Sequence, residues 1–193
     1  MAIVEKPMLL DVPDQLITQR MLLRIPRPGD SKFVWPAVVD SQNELSPWMP
    51  WAYPKAQEQG VEEFCCRAAA NFILREQFHY NLYLQGTETC IGVCGVPRLK
   101  WSVPMMEIGY WIRTPYSGKG YMNEAVRAVE RVCFDALKAA RVEIRCDERN
   151  DRSRRVAERA GYTLEGVLRC EDRAPAGELR NTCIYAKVAA APS

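Results

Sequence analysis

The segment from Tyr110 to Ala140 limits the fold more than any other. It runs Tyr-Trp-Ile-Arg-Thr-Pro-Tyr-Ser-Gly-Lys-Gly-Tyr-Met-Asn-Glu-Ala and continues in a helical pattern. Met122, Ala125, Val126, Val129, Val132, Cys133, Ala136, Leu137 and Ala140 recur at three- and four-residue steps, so they share one face. Upstream, Met105 to Ile112 alternates as a strand. Met106, Ile108, Tyr110 and Ile112 face one way; Met105, Glu107, Gly109 and Trp111 face the other. Gly109 inside that strand marks a bulge or a close approach. Between strand and helix lies Ser117-Gly-Lys-Gly-Tyr121. Such a turn presents backbone N–H groups and the positive end of a helix dipole, which suits a phosphate. A plain strand–turn–helix connection, with glycines for geometry only, is the other reading.

The remaining composition narrows the class. A chain of 193 residues suits one domain, and 48% hydrophobic residues supply a core. A net charge of +2 does not by itself imply nucleic-acid binding. No apolar run is long enough to span a bilayer, and the first residues lack a signal-peptide core. A cytoplasmic location is expected, with no membrane partner and no direct nucleic-acid partner. Eight cysteines without a Cys-x-x-Cys pair, beside the single His79, argue for reduced structural thiols and against a metal site. A lone histidine also disfavours Ser–His–Asp or Cys–His chemistry.

In chain order, residues 1–15 form a loose lead-in, residues 16–188 one domain and residues 189–193 a frayed tail. Leu16 to Ile25 is predicted as the first strand. A helix runs from a cap at Asp30 or Ser31 to about Val39, with Pro36 inside it. The loop Ser46 to Pro54 carries Trp48, Trp51 and Tyr53 among three prolines; it either plugs a core edge or lines an apolar pocket. Gln57 to Gln77 is predicted as a helix burying Val61, Phe64, Cys65, Ala68, Ala69, Phe72 and Ile73. Three strands follow, the last at Met105. After the central helix come a strand at Arg141 to Cys146, parallel to the one before the helix, and a short helix at Ser153 to Ala160. Strands at Thr163 to Asp172 and Glu178 to Val188 close the chain, with Gly166 a candidate bulge. The expected architecture is α+β: a mixed, mostly antiparallel sheet of about seven strands flanked by helices.

Taken in order, several short stretches resemble one family. They are Leu16-Ile-Thr-Gln-Arg-Met-Leu-Leu-Arg24 with Asp30, Ile91-Gly92, Glu107-Ile-Gly-Tyr-Trp-Ile112, Ser117-Gly-Lys-Gly-Tyr-Met-Asn-Glu-Ala125, Asn150-Asp-Arg-Ser153, Ala160-Gly-Tyr162 and Leu164-Glu-Gly166. The chain resembles the GNAT N-acetyltransferases, in the branch of the ribosomal-protein (RimJ/RimL-like) enzymes. The resemblance implies the GNAT fold and transfer of an acetyl group from acetyl-CoA to a primary amine, with no metal. It implies that Ser117, Gly118, Lys119, Gly120, Tyr121 and Met122 hold the pyrophosphate, with Arg113 and Lys119 as cationic partners. The edge at Ile108, Tyr110, Trp111 and Ile112 would pair with the pantetheine arm, and Asn150 and Ser153 would meet it near the thioester. Ser153 would protonate or stabilise the leaving thiolate; its other reading is a helix cap. Asp172, or its neighbour Glu171, would be the general base; a surface ion pair is the other reading. Glu107 is a third carboxylate. Two positions depart from the wider family: Pro115 replaces a common Arg or Gln, and Ala157 replaces a common Tyr.

Other functions stay open at this level. A non-catalytic acyl-CoA sensor would keep Gly118 and Gly120. A P-loop nucleotide binder would need Gly-Lys-Ser/Thr, which the Gly-Lys-Gly turn lacks. The basic row Arg152, Arg155 and Arg159 is a solvated face, a contact for the CoA 3′-phosphate, or a contact for RNA. The acceptor is a protein N-terminus or a small amine, an antibiotic included. A homodimer is compatible with the sequence.

Overall fold

The computed structural model describes residues 4–189, so most of the tail beyond Val188 lies outside the described residues. The strands are β1 (Gln15–Ile17), β2 (Met21–Arg24), β3 (Phe78–Leu84), β4 (Cys90–Lys100), β5 (Met105–Ile112), β6 (Arg141–Asp147), β7 (Thr163–Arg173) and β8 (Leu179–Val188). The helices are α1 (Ser31–Val39), α2 (Gln42–Leu45), α3 (Glu58–Leu74), α4 (Tyr121–Arg131) and α5 (Asp151–Arg159). All strands join one 8-stranded sheet in the order β1-β2-β3-β4-β5-β6-β8-β7. Only β5 and β6 run parallel, and α4 makes the crossover between them. The mixed sheet flanked by helices agrees with the sequence.

The count of strands rises because the expected first strand breaks. Thr18 to Arg20 turn back, and β1 pairs with β2. The Thr18 hydroxyl accepts from Met21 N–H and donates to Met21 C=O, both at 3.1 Å. A serine- or threonine-type turn thus competes with the strand ladder. As a result Ile17 is 73% exposed, while Met21 and Leu23 are buried. The lead-in is held from Leu10 onward: Tyr80 Oη donates to Pro13 C=O at 2.8 Å, and Val12 is buried.

Strand alternation divides the core between two faces. Met21, Leu23, Phe78, Tyr80, Leu82, Met106, Ile108, Val142 and Ile144 pack toward α4 and α5. Tyr83 and Cys90, on the opposite face, pack with Val34 and Val38 of α1 and Val61 and Cys65 of α3. Each such side chain, fully buried, stabilises the fold by roughly 1.5–3 kcal/mol. Helix α3 stops at Leu74 because Arg75 turns left-handed, φ 58°. Ile73, predicted in its buried stripe, is exposed. The apolar face of α4 is buried as expected. Beyond Arg131 the helix widens into a π turn over Val132–Ala136, with Leu137 N–H donating to Val132 C=O at 2.9 Å. Gly166 does sit at a register shift of β7. No helix among the described residues is long and apolar enough to cross a membrane.

Candidate active site

Strand β5 is paired along its β4 side from Met105 to Ile112, but β6 follows it only from Met105 to Glu107. The two strands then part. The β6-side edge of Ile108 to Ile112 therefore carries backbone groups that no strand satisfies among the described residues, an open ladder for an extended ligand. On the other side of β5, two residues of β4 bulge between Gly95 and Arg98 opposite a single step of β5. The bulge anticipated near Gly109 is thus on the facing strand. It lays Pro97 over Gly109, where a Cβ would stand 3.1 Å from Pro97 Cγ.

A cavity of about 640 Å³ passes through this opening. Tyr110, Ile144, Cys146, Asp147, Asn150 and Ser153 line one end; Trp48, Trp51, Phe64, His79 and Trp111 line the other. Of the two readings of the aromatic loop, the pocket wall is the one realised. Asn150 caps α5, its Oδ1 accepting from Ser153 N–H at 3.0 Å. Ser153 therefore is not the cap. Its hydroxyl lies 3.1 Å from Tyr110 Oη, which also reaches Ser153 C=O at 3.0 Å. Burial raises the Tyr110 phenol well above its ordinary value. The tyrosine is thus a neutral hydroxyl joining β5 to α5 across the gap.

The Gly-Lys-Gly turn holds the expected shape. Gly118 and Gly120 take φ of 75° and 82°, which L side chains rarely adopt. Gly120 is the N-cap of α4 and no side chain caps that end, so its first amides are free of protein acceptors. Arg20 braces the turn: its Nε–H donates to Glu124 at 2.7 Å, its NH1 to Lys119 C=O at 2.9 Å, and its guanidinium lies 4.2 Å over the Tyr121 ring. Burial works to raise the Glu124 carboxyl, but the Thr18 hydroxyl and the Arg20 hydrogen bonds together hold it below the usual carboxylate range. A shallow groove beside the turn is lined by Gly118, Lys119, Gly120, Arg127, Arg131 and Arg159. Arg159 belongs to the expected basic row, whereas Arg127 and Arg131 are cations that the sequence shows only as the polar face of a helix. Arg113 does not join them. Its guanidinium pairs with Asp40, Nε–H at 2.8 Å and NH2 at 2.6 Å, away from the residues lining this groove.

None of the three candidate carboxylates, Asp172, Glu171 and Glu107, is among the residues lining the cavity. Asp172 accepts from Arg180 at 2.6 Å and from Arg173 N–H at 2.8 Å, and these bonds hold its carboxyl below the usual range. Glu171 accepts from Arg145 at 2.6 Å. Both are the surface-type ion pairs that the sequence left open, although Arg145 and Arg180 themselves reach the cavity wall. Glu107 differs: burial raises its carboxyl, with Arg98 at 3.5 Å and Arg145 opposing. Asp147, buried beside the cavity, is gripped by Arg149 at 2.7 and 3.0 Å and held below the usual range.

Free strand edge, bare helix start and split sheet thus lie next to one another on the chain. The acetyltransferase (GNAT) domain model matches residues 20–163, and the chain belongs to that family. Among its relatives is the probable N-acetyltransferase YjcK of Bacillus subtilis, 34% identical over 95 residues, 49% of this chain and 52% of that one. Another is the ribosomal-protein-serine acetyltransferase of Escherichia coli, 29% identical over 112 residues, 58% of this chain and 63% of that one. The chain thus spans between half and two thirds of these relatives. The microcin C7 self-immunity acetyltransferase MccE, solved with acetyl-CoA and AMP, superposes with a TM-score of 0.81 over 89% of this chain and 94% of that one. At 20% identity this last likeness speaks for the fold alone.

Proposed function

We propose that this acetyltransferase moves the acetyl group of acetyl-CoA to a primary amine by direct attack. The observation that carries the reading is the parting of β5 and β6 beyond Glu107, directly upstream of the uncapped start of α4. The pyrophosphate would sit on the amides of Ser117 to Met122, with Lys119, Arg127, Arg131 and Arg159 as cations. The pantetheine arm would lie along Ile108 to Ile112 as an added strand. The amine nitrogen attacks the thioester carbon, the C–S bond breaks, and the departing thiolate accepts a hydrogen bond from the Ser153 hydroxyl, which Tyr110 backs, and takes its proton from water. The proton lost by the amine needs a carboxylate whose affinity is raised toward working pH. Glu107 stands at the last paired step before β5 and β6 part, and burial raises its carboxyl, so we assign it that role and leave Asp172 and Glu171 as ion-pair partners.

Thiol release from acetyl-CoA with a panel of amines and N-terminal peptides tests the assignment. Glu107→Gln is expected to lower kcat roughly a hundredfold and Ser153→Ala roughly tenfold, while Asp172→Asn stays within about threefold. A hundredfold loss in Asp172→Asn would return the base to β7. A protein N-terminus as acceptor is supported by the name of the Escherichia coli relative. Eight unpaired thiols support a reducing, cytoplasmic setting. A homodimer joined at β7 is proposed from that strand's open outer edge and its exposed Leu164, Val167 and Leu168.

A further inference from the structure

The two ends of the cavity differ in chemistry. At the β6 and α5 end the wall is polar: Ser153 is hydrogen-bonded to both Asn150 and Tyr110, and Asp147 to Arg149. At the α1 and α3 end the wall is mostly apolar, with the rings of Trp48, Trp51, Phe64 and Trp111 set among Val34, Val38, Met49 and Val61. Trp51 and Trp111 stand with ring centroids 5.8 Å apart, tilted by 55°. Phe64 meets the His79 imidazole edge to face at 5.2 Å and 70°. Pro97 over Gly109 completes an apolar floor. Trp51 is 46% exposed at this wall, a large ring left partly in water at the edge of a cavity. Holding a small hydrophilic amine over a thioester requires none of these rings.

His79 is the only histidine of the chain. It lies in register with Gly95, whose absent Cβ leaves room for its ring. Its imidazole makes no hydrogen bond and no ion pair among the described residues, and burial alone lowers its pKa to about 4. It is therefore neutral in ordinary buffer, and one ring nitrogen offers a lone pair. The other charged groups of the wall are occupied: Arg145 by Glu171, Arg180 by Asp172 and Asp147 by Arg149. Lys55 is exposed and repels an ammonium. An uncharged acceptor in an apolar recess favours an amine over its ammonium form, because desolvation penalises the charged state. That selects the nucleophilic species.

We propose, resting on the acetyl-transfer reading above, that the acceptor is a primary amine borne on an aromatic group. Its ring packs against Trp51, Trp111 and Phe64, and its nitrogen donates to the His79 imidazole. An aromatic residue at a peptide N-terminus and a free arylalkylamine share this chemistry.

The test compares peptides that differ only in a leading Phe, Trp, Ser or Ala, together with phenethylamine and spermidine, with acetylated product measured by mass spectrometry. The aromatic acceptors are expected to exceed the Ser and Ala peptides at least tenfold in kcat/KM. Activity confined to Phe and Trp peptides identifies the peptide source; activity extending to phenethylamine identifies the free amine. Trp51→Ala, at a half-exposed position, is expected to raise the KM of the aromatic acceptor about tenfold and leave the KM of acetyl-CoA unchanged. His79→Phe is expected to do the same, and His79→Gln, which keeps an acceptor atom, to recover most of the loss. Ser or Ala peptides used as well as Phe peptides, or selectivity unmoved in Trp51→Ala, overturns the proposal. So does a protein that binds CoA by calorimetry and acetylates no aromatic amine. Failure to bind CoA overturns the transfer reading itself, and this proposal with it.

Discussion

At the scale of single residues, the site depends on which polar group is engaged by which partner. Asn150 takes the capping duty of α5, and this frees the Ser153 hydroxyl for Tyr110. The sequence named Asn150 and Ser153 but left cap and catalyst as rival roles. The structure separates them because a cap must stand one step before the first turn, and Asn150 is there. Tyr110 was legible as part of the strand edge expected to meet the pantetheine, but not as the partner of Ser153, which lies 43 positions away. His79 gave no local signal at all; its setting comes from Phe64 on one element and Gly95 on another. Its titration is measurable through stability. The imidazole titrates near 6.5 when unfolded and near 4 in the fold, so between these values the unfolded chain holds more protons. Stability from this source is complete above pH 6.5 and is lost as pH falls toward 4, by up to roughly 3 kcal/mol. The lowered carboxyls of Glu62, Glu124, Glu165 and Asp172 act in the same direction, but below about pH 4.5. Chemical denaturation between pH 7 and 5 is expected to show the slope in the wild type and lose it in His79→Phe.

At the scale of elements, periodicity gave α4 and α3 nearly whole, because a helix buries a continuous stripe. It failed where backbone geometry overrides side-chain pattern: the Thr18 turn, the π turn after Arg131, and the β4 bulge. The first of these has a mechanical role. The β1–β2 turn delivers Arg20 to the start of α4, where it grips Lys119 C=O and Glu124 together. Arg20 lies outside the binding turn, yet it fixes the orientation of the amides within it. Arg20→Ala is expected to weaken CoA binding about tenfold by calorimetry while moving the thermal midpoint by only a few degrees, since the pair is partly exposed.

At the scale of the whole molecule, the order of elements was enough to place α4 as a crossover and to make β5 and β6 parallel. The direction in which those two strands diverge was not legible, and neither was the gathering of Trp48, Trp51, Phe64 and Trp111 from separate elements. Long-range packing decides both. The sheet ends on β7, an 11-residue strand with an open outer edge and several exposed aliphatic side chains. Unpaired strand edges of this length invite another strand. Light scattering is expected to give twice the 22.0 kDa chain mass, and Val167→Lys to shift the species toward the monomer.

The fork between β5 and β6 has a consequence for traffic. It makes a hole through the sheet rather than a pit in one surface: the groove with the arginines lies by α4 and α5, and the tryptophans lie on the far side with α1 and α3. On the proposed reading, coenzyme and acceptor would enter by separate doorways and meet in the middle, and neither would have to depart before the other arrives.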